Sequence, residues 1–248
     1  MGLTIHYTLQ LDGAHTLAEV EALTAQAREF ALKQKVVEVT PLIGVEPDFI
    51  MGIHWLPLPD AKDDEATHAE VPPQEGWIFS VNLGEGSEWL MTGLCRYPDT
   101  IKHRGRVLPT QVGQGWRLQF FCKTQYASEH GWENFLHCHR TVIAILKFWE
   151  TLGVQVHITD EGGYWPDCSE NALREKLGEM NHLCAAFAGA LKDTTDADGK
   201  SILTSAPILK HPRFEQLEHE GVQRYGEKIA QAVKLVQENL PPPRADKT

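Results

Sequence analysis

The sequence predicts an α+β fold: a mixed, mainly antiparallel sheet with helices packed mostly on one face. Three observations predict it. The apolar period switches repeatedly between two and 3.6 residues. Two apolar runs flank a short glycine-containing turn, "GEGS" at 84–87. The resulting order, β-α-β-β-β-β-α-β-α-α, lacks the regular alternation of a doubly wound sheet.

The elements follow in order. In "LTIHYTLQL", Leu3, Ile5, Tyr7 and Leu9 alternate with polar residues, as in a half-buried strand. "AHTLAEVEALTAQAREFALKQK" then places Leu17, Val20, Leu23, Ala27 and Phe30 at helical spacing, with Thr16 and Glu19 in a capping box. "KVVEVTPLIG" reads as a returning strand, so the first forty-odd residues form a βαβ or βα-hairpin unit. Residues 57–75 carry four prolines, six acidic residues and one lysine, the composition of a long solvated loop. "GWIFSVNL" and "EWLMTGLCRY" make a hairpin, and "GWRLQFFCKTQ" follows a loop over 98–115.

In "GWENFLHCHRTVIAILKFWETLG" the stripe Trp132, Phe135, His139, Val142, Leu146 and Trp149 marks a helix stopped by Gly153. "VQVHITD" is a strand. "SENALREKLGEMNHLCAAFAGALKD" is a helix through Leu173, Leu177, Met180, Cys184, Phe187 and Leu191. After "TTDADGKS", "GVQRYGEKIAQAVKLVQENL" is the last helix, through Tyr225, Ile229, Val233 and Val236. Residues 1–240 thus read as a single domain with one long loop at 57–75, and 241–248 as a frayed tail. A two-domain reading would place its break near 58–75.

Composition narrows the function. Acidic residues outnumber basic ones 34 to 23, a formal net charge of −11 that repels phosphate backbones and anionic membranes. The dense basic stretch "IKHRGRVLP" has no interleaved aromatics, so no nucleic-acid partner is expected. No apolar run approaches the roughly 18–20 residues of a membrane span, and the N-terminus lacks a signal-peptide pattern. A soluble, cytoplasmic protein is expected. The five cysteines are odd in number and form no Cys-x-x-Cys pair, which argues against disulfides and zinc knuckles. Gly-x-Ser-x-Gly is absent, and "GEGSEW" lacks the Lys-Ser/Thr ending of a phosphate loop. No cofactor and no metal are expected.

The stretch that raises a site is "HITDEGGYWPD", 157–167, where a strand runs into two carboxylates, two glycines and two aromatics. If strands 116–125 and 153–160 share a sheet across the intervening helix, a right-handed crossover makes them parallel and puts their C-terminal ends on one edge. The loops beyond those ends would then bring Tyr126, Ser128, His130 and Trp132 near Asp160, Glu161, Tyr164 and Trp165. Asp160 continues the buried face of Val154, Val156 and Ile158, a setting that favours acid/base work. The plainer reading is a turn, with Asp160 or Glu161 accepting bonds from turn amides and Gly162 and Gly163 at positive φ.

His137 and His139 lie about 200° apart around their helix and cannot readily share an ion. His139 on the apolar stripe reads as a hydrogen-bonded core histidine, or as one member of a site with Asp160 or Glu161. A Cys122/His139 dyad would need a stabilised thiolate. Lys123 shares the opposite strand face with Arg117, Gln119, Phe121 and Gln125, where it could meet an anionic ligand or stay solvated. The candidate pocket is therefore Tyr126, His130, Trp132, His139, Asp160, Glu161, Tyr164 and Trp165, with no complete catalytic set.

The expected function is that of a non-catalytic intracellular binding protein for a protein partner or small ligand, of immunity, antitoxin or regulatory type. The alternative is a small-molecule enzyme using acid/base or hydrolytic chemistry at Asp160 and Glu161.

Overall fold

The structure, a computed structural model, describes residues 3–47, 52–58, 68–192, 194 and 206–238. The chain divides into two compact units, Thr4–Glu161 and a second of Gly162–Thr248 with Met1–Leu3. The division falls at the end of the "HITD" strand, away from 58–75.

The first unit is an α+β structure built on a seven-stranded sheet. Its strands are β1 (Thr4–Leu11), β2 (Glu38–Val39), β3 (Ile43–Val45), β6 (Glu75–Asn82), β7 (Leu90–Arg96), β10 (Trp116–Lys123) and β11 (Gln155–Asp160). The order is β11-β1-β10-β7-β6-β2, with β3 also on β6. Two small hairpins stand apart from it, β4 (His54–Pro57) with β5 (His68–Val71), and β8 (Thr100–His103) with β9 (Arg106–Pro109). Every strand pairing among the described residues is antiparallel.

β1 lies between β10 and β11 and runs antiparallel to both, so those two strands are parallel to each other without touching. Their C-terminal ends share one edge: Thr4 faces Lys123, and Ile5 faces both Cys122 and Asp160. The side-chain period of two then sorts the three strands into two faces. Ile5, Tyr7 and Leu9 align with Cys122, Phe120 and Leu118 and with Asp160, Ile158 and Val156 on one face. His6 and Thr8 align with Phe121, Gln119, Thr159 and His157 on the other.

Helices α1 (Leu17–Leu32) and α2 (Trp132–Thr151) cover the apolar face. The capping box holds: Glu19 N–H donates to Thr16 Oγ1 at 3.3 Å, and Thr16 N–H donates to Glu19 Oε2 at 2.7 Å. Such a cap is worth about 1 kcal/mol. Phe30 of α1 stacks on Phe148 of α2 at 4.2 Å between ring centroids. Trp149 donates its indole N–H to Thr92 Oγ1 at 2.9 Å, which ties α2 to β7. Gly153, at a φ of +82°, ends the α2 turn as its position suggested.

The structure departs from the sequence reading in several places. The "KVVEVTPLIG" stretch does not pair with β1; it breaks into β2 and β3, both on β6 and far from β1 in the sheet. Within 57–75, His68–Val71 is a strand, because Ala69 and Val71 alternate inward between polar neighbours. The central part of that stretch, 59–67, and the 241–248 tail lie outside the described residues. The 98–115 loop contains the β8/β9 hairpin, turned by Arg104 and Gly105 at φ +49° and +79°, the positive-φ pair of a tight two-residue hairpin turn.

The second unit contains α3 (Glu170–Lys192) and α4 (Phe214–Glu238), with a one-turn helix at Pro207–Lys210. Ala185, Ala188, Phe214 and Leu217 form its small core, flanked by Ala206, Ile208 and Leu209. α4 begins seven residues before the expected Gly221. That glycine is inside the helix because α3 passes against it: a Cβ there would lie 2.1 Å from the His182 carbonyl oxygen.

Candidate functional site

His139 and Asp160 face each other in the core. α2 carries His139 inward on its apolar stripe, while the alternation of β11 points Asp160 to the same side. His139 Nε2 lies 3.1 Å from Asp160 Oδ2, and both side chains are fully buried. His139 Nδ1 lies 2.9 Å from Thr124 Oγ1, at the first position after β10. A neutral imidazole satisfies both neighbours, donating from Nε2 to the carboxylate and accepting the Thr124 hydroxyl at Nδ1. The chain Thr124–His139–Asp160 staples the ends of β10 and β11 to α2.

Sealing defines what this cluster can do. Thr124, His139 and the Asp160 carboxylate have no solvent exposure, so no substrate atom reaches them in this conformation. The arrangement has the residue types of a proton relay and the setting of a structural one.

The other expected residues have surroundings of their own. Glu161 accepts the Thr4 backbone N–H at 3.0 Å, returns its own N–H to the Thr4 carbonyl at 3.1 Å, and lies 3.6 Å from His6. It extends the β1/β11 ladder by one residue. His130 closes the one-turn helix Gln125–His130 and pairs with Glu85 at 2.9 Å. Tyr126 belongs to that same turn, whose backbone packs on Gly86: a Cβ there would lie 2.4 Å from the Tyr126 carbonyl oxygen. Trp132 starts α2 with its ring 5.7 Å from Phe135. Tyr164 and Trp165 belong to the second unit, where the Tyr164 carbonyl accepts Ser169 N–H at 3.1 Å. Of the two glycines, Gly163 takes a φ of +66° and Gly162 does not.

The Cys122/His139 dyad finds no support. Burial pushes the Cys122 thiol well above its ordinary pKa, with Glu88 adding to the shift. Its Sγ lies 3.5 Å from the Glu88 carbonyl oxygen. A thiolate is disfavoured there, and both His139 nitrogens already have partners. His137 points away from His139 and bonds the Lys35 carbonyl. Among the described residues no three His, Cys, Asp or Glu side chains stand together as a metal-holding group.

An open site lies on the other side of the same three strands. A groove of about 250 Å³ runs over the outer face of β10, β1 and β11 and is bounded by Ile53, His54 and Trp55 at the start of β4. The sheet contributes His6 and Thr8, Gln119 and Phe121, and His157 and Thr159, all from the outward positions of their strands. Three imidazoles and two exposed aromatic rings, Trp55 and Phe121, therefore meet one concave surface.

Burial is the main cause that lowers the pKa of His54, and the Arg117 guanidinium adds to it. The His54 ring is 6.0 Å from that of Tyr97, whose hydroxyl donates to the Gly52 carbonyl at 2.6 Å. This groove was missed from sequence, although one signal was available: His6, Phe121 and His157 each occupy the polar phase of a clean alternation.

Compared with models of known protein families, with curated proteins and with solved structures, the chain matches none.

Proposed function

We propose that the protein is a non-catalytic binding protein whose small-molecule ligand occupies the outer-face groove. The observation that carries this reading is the contrast in access within one sheet. The groove is open and combines aromatic faces with polar groups that can fix a ligand's orientation, the usual make-up of a small-molecule site. The carboxylate best placed for acid/base chemistry, Asp160, is sealed and bonded to His139. Glu161 holds a backbone amide and a histidine, which suits strand pairing better than turnover.

Native mass spectrometry of the protein as purified, followed by denaturation, tests the reading. A small molecule released from the wild type and missing from Trp55→Ala is the expected result. A co-purifying protein with no small molecule, unaffected by Trp55→Ala, would overturn it in favour of a partner-binding role. An enzyme at Asp160 would instead require turnover that Asp160→Asn abolishes while ligand affinity persists.

A further inference from the structure

Arg117, with Trp77 and His103, is one of the described first-unit residues that hold a buried side-chain nitrogen without a hydrogen-bond partner. It lies on the outer face of β10, two residues before Gln119, which lines the groove. The side chain is half-buried, its Nε is enclosed without a hydrogen-bond partner, and no carboxylate pairs with it among the described residues. A guanidinium nitrogen enclosed without a partner costs free energy, and each such atom in a native structure asks for a reason. The nearby titratable groups are His54 and Tyr97, neither of which supplies a negative charge at neutral pH.

Among the described residues, the acids around the groove do not answer it. Asp12 is held by the side-chain amides of Gln10 and Gln155, at 2.8 Å each. Glu161 serves Thr4 and His6 at the far edge. Glu70, opposite Trp55 on β5, is exposed and does not line the groove. In a chain with a net charge of −11, three imidazoles line this groove, His6, His54 and His157, no described carboxylate does, and Arg117 stands two residues from Gln119 on the same strand face.

We propose that the groove takes a small planar organic anion, its ring against Trp55 and Phe121 and its carboxylate, sulfonate or phosphate directed to Arg117 and His54. This rests on the binding role proposed above. A guanidinium offers a planar fork of N–H donors matched to such oxygens, and the half-buried Arg117 side chain has no carboxylate partner among the described residues. The half-buried imidazole of His54 donates alongside it, and the flat aromatic surfaces suit a ring better than an aliphatic chain.

Two fluorescent probes of nearly the same shape separate the ideas: 1-anilinonaphthalene-8-sulfonate and its neutral parent, N-phenyl-1-naphthylamine. The sulfonate is expected to bind more tightly than the parent, and Arg117→Gln to weaken the sulfonate about tenfold or more while leaving the parent within about twofold. Trp55→Ala is expected to weaken both. Equal sulfonate affinity in wild type and Arg117→Gln would overturn the anion, while the groove itself would stand if Trp55→Ala still weakened both probes. Probes indifferent to Trp55→Ala would instead sink the binding role. Should Arg117→Gln fail to fold, displacement of the bound sulfonate from wild type decides: benzoate displaces it and benzamide does not, and equal displacement by the two overturns the proposal.

Discussion

His139 and His157 sit on opposite sides of one sheet edge, 18 residues apart in the sequence numbering, and their surroundings make them different groups. His139 is enclosed between Thr124 and Asp160 with both ring nitrogens engaged. His157 is exposed on the floor of an open groove with His6 and Thr8 across from it. β10, β1 and β11 build both places, and a shift of one residue along a strand carries a side chain from one to the other. Residue type alone therefore says little about a histidine; the phase of its strand or helix and what covers that face decide whether it holds the fold or meets a ligand.

The comparison yields a graded set of mutations. Asp160→Ala removes the acceptor from a buried imidazole and is expected to cost about 3 kcal/mol or more of stability, measured by urea unfolding. Asp160→Asn, whose carbonyl can still accept from Nε2, should cost clearly less. Equal losses from the two would show that the carboxylate charge, and not the hydrogen bond, matters there. Thr124→Val keeps the shape but strips the hydroxyl from Nδ1, an expected loss of about 1–2 kcal/mol.

The groove should respond to pH through His54. The folded-state pKa of His54 lies below its ordinary 6.5, so the unfolded chain binds more protons between those two values. Stability contributed there is present above 6.5, falls as pH drops through the window, and stops falling below the folded pKa. His54→Gln should flatten that part of the curve, and an unchanged slope would show that His54 is not its source. The smallest effect is expected from His157→Ala, within about 0.5 kcal/mol in stability, with probe binding as the property that changes.

Much of the sheet edge was legible. The alternation of β1, β10 and β11, the capping box at Thr16 and Glu19 and the stripe of α2 are local patterns, and they put His139 on the apolar stripe of its helix and Asp160 on the buried face of its strand. What was not legible was strand neighbourhood. Nothing local says that β1 inserts between β10 and β11, and that insertion is what brings His6 beside His157 and Phe121. The reading of "KVVEVTPLIG" as one returning strand of a βαβ or βα-hairpin unit failed for the same reason, since its two short strands pair with β6 across the sheet. Tyr126, His130 and Trp132 meet Gly86, Glu85 and Phe135, contacts with no signature in the local pattern. Gly221 looked like a helix boundary because its packing role against α3 depends on a residue 39 positions away.

The most direct measurement of the central contrast is histidine footprinting with diethyl pyrocarbonate, mapped by mass spectrometry of peptides, with and without 1-anilinonaphthalene-8-sulfonate. Rapid labelling of His6 and His157 is expected, with no labelling of His139 in the folded protein and protection of His6 and His157 when the probe is bound. Labelling of His139 as fast as His157, or groove histidines that label identically with the probe present, would contradict it.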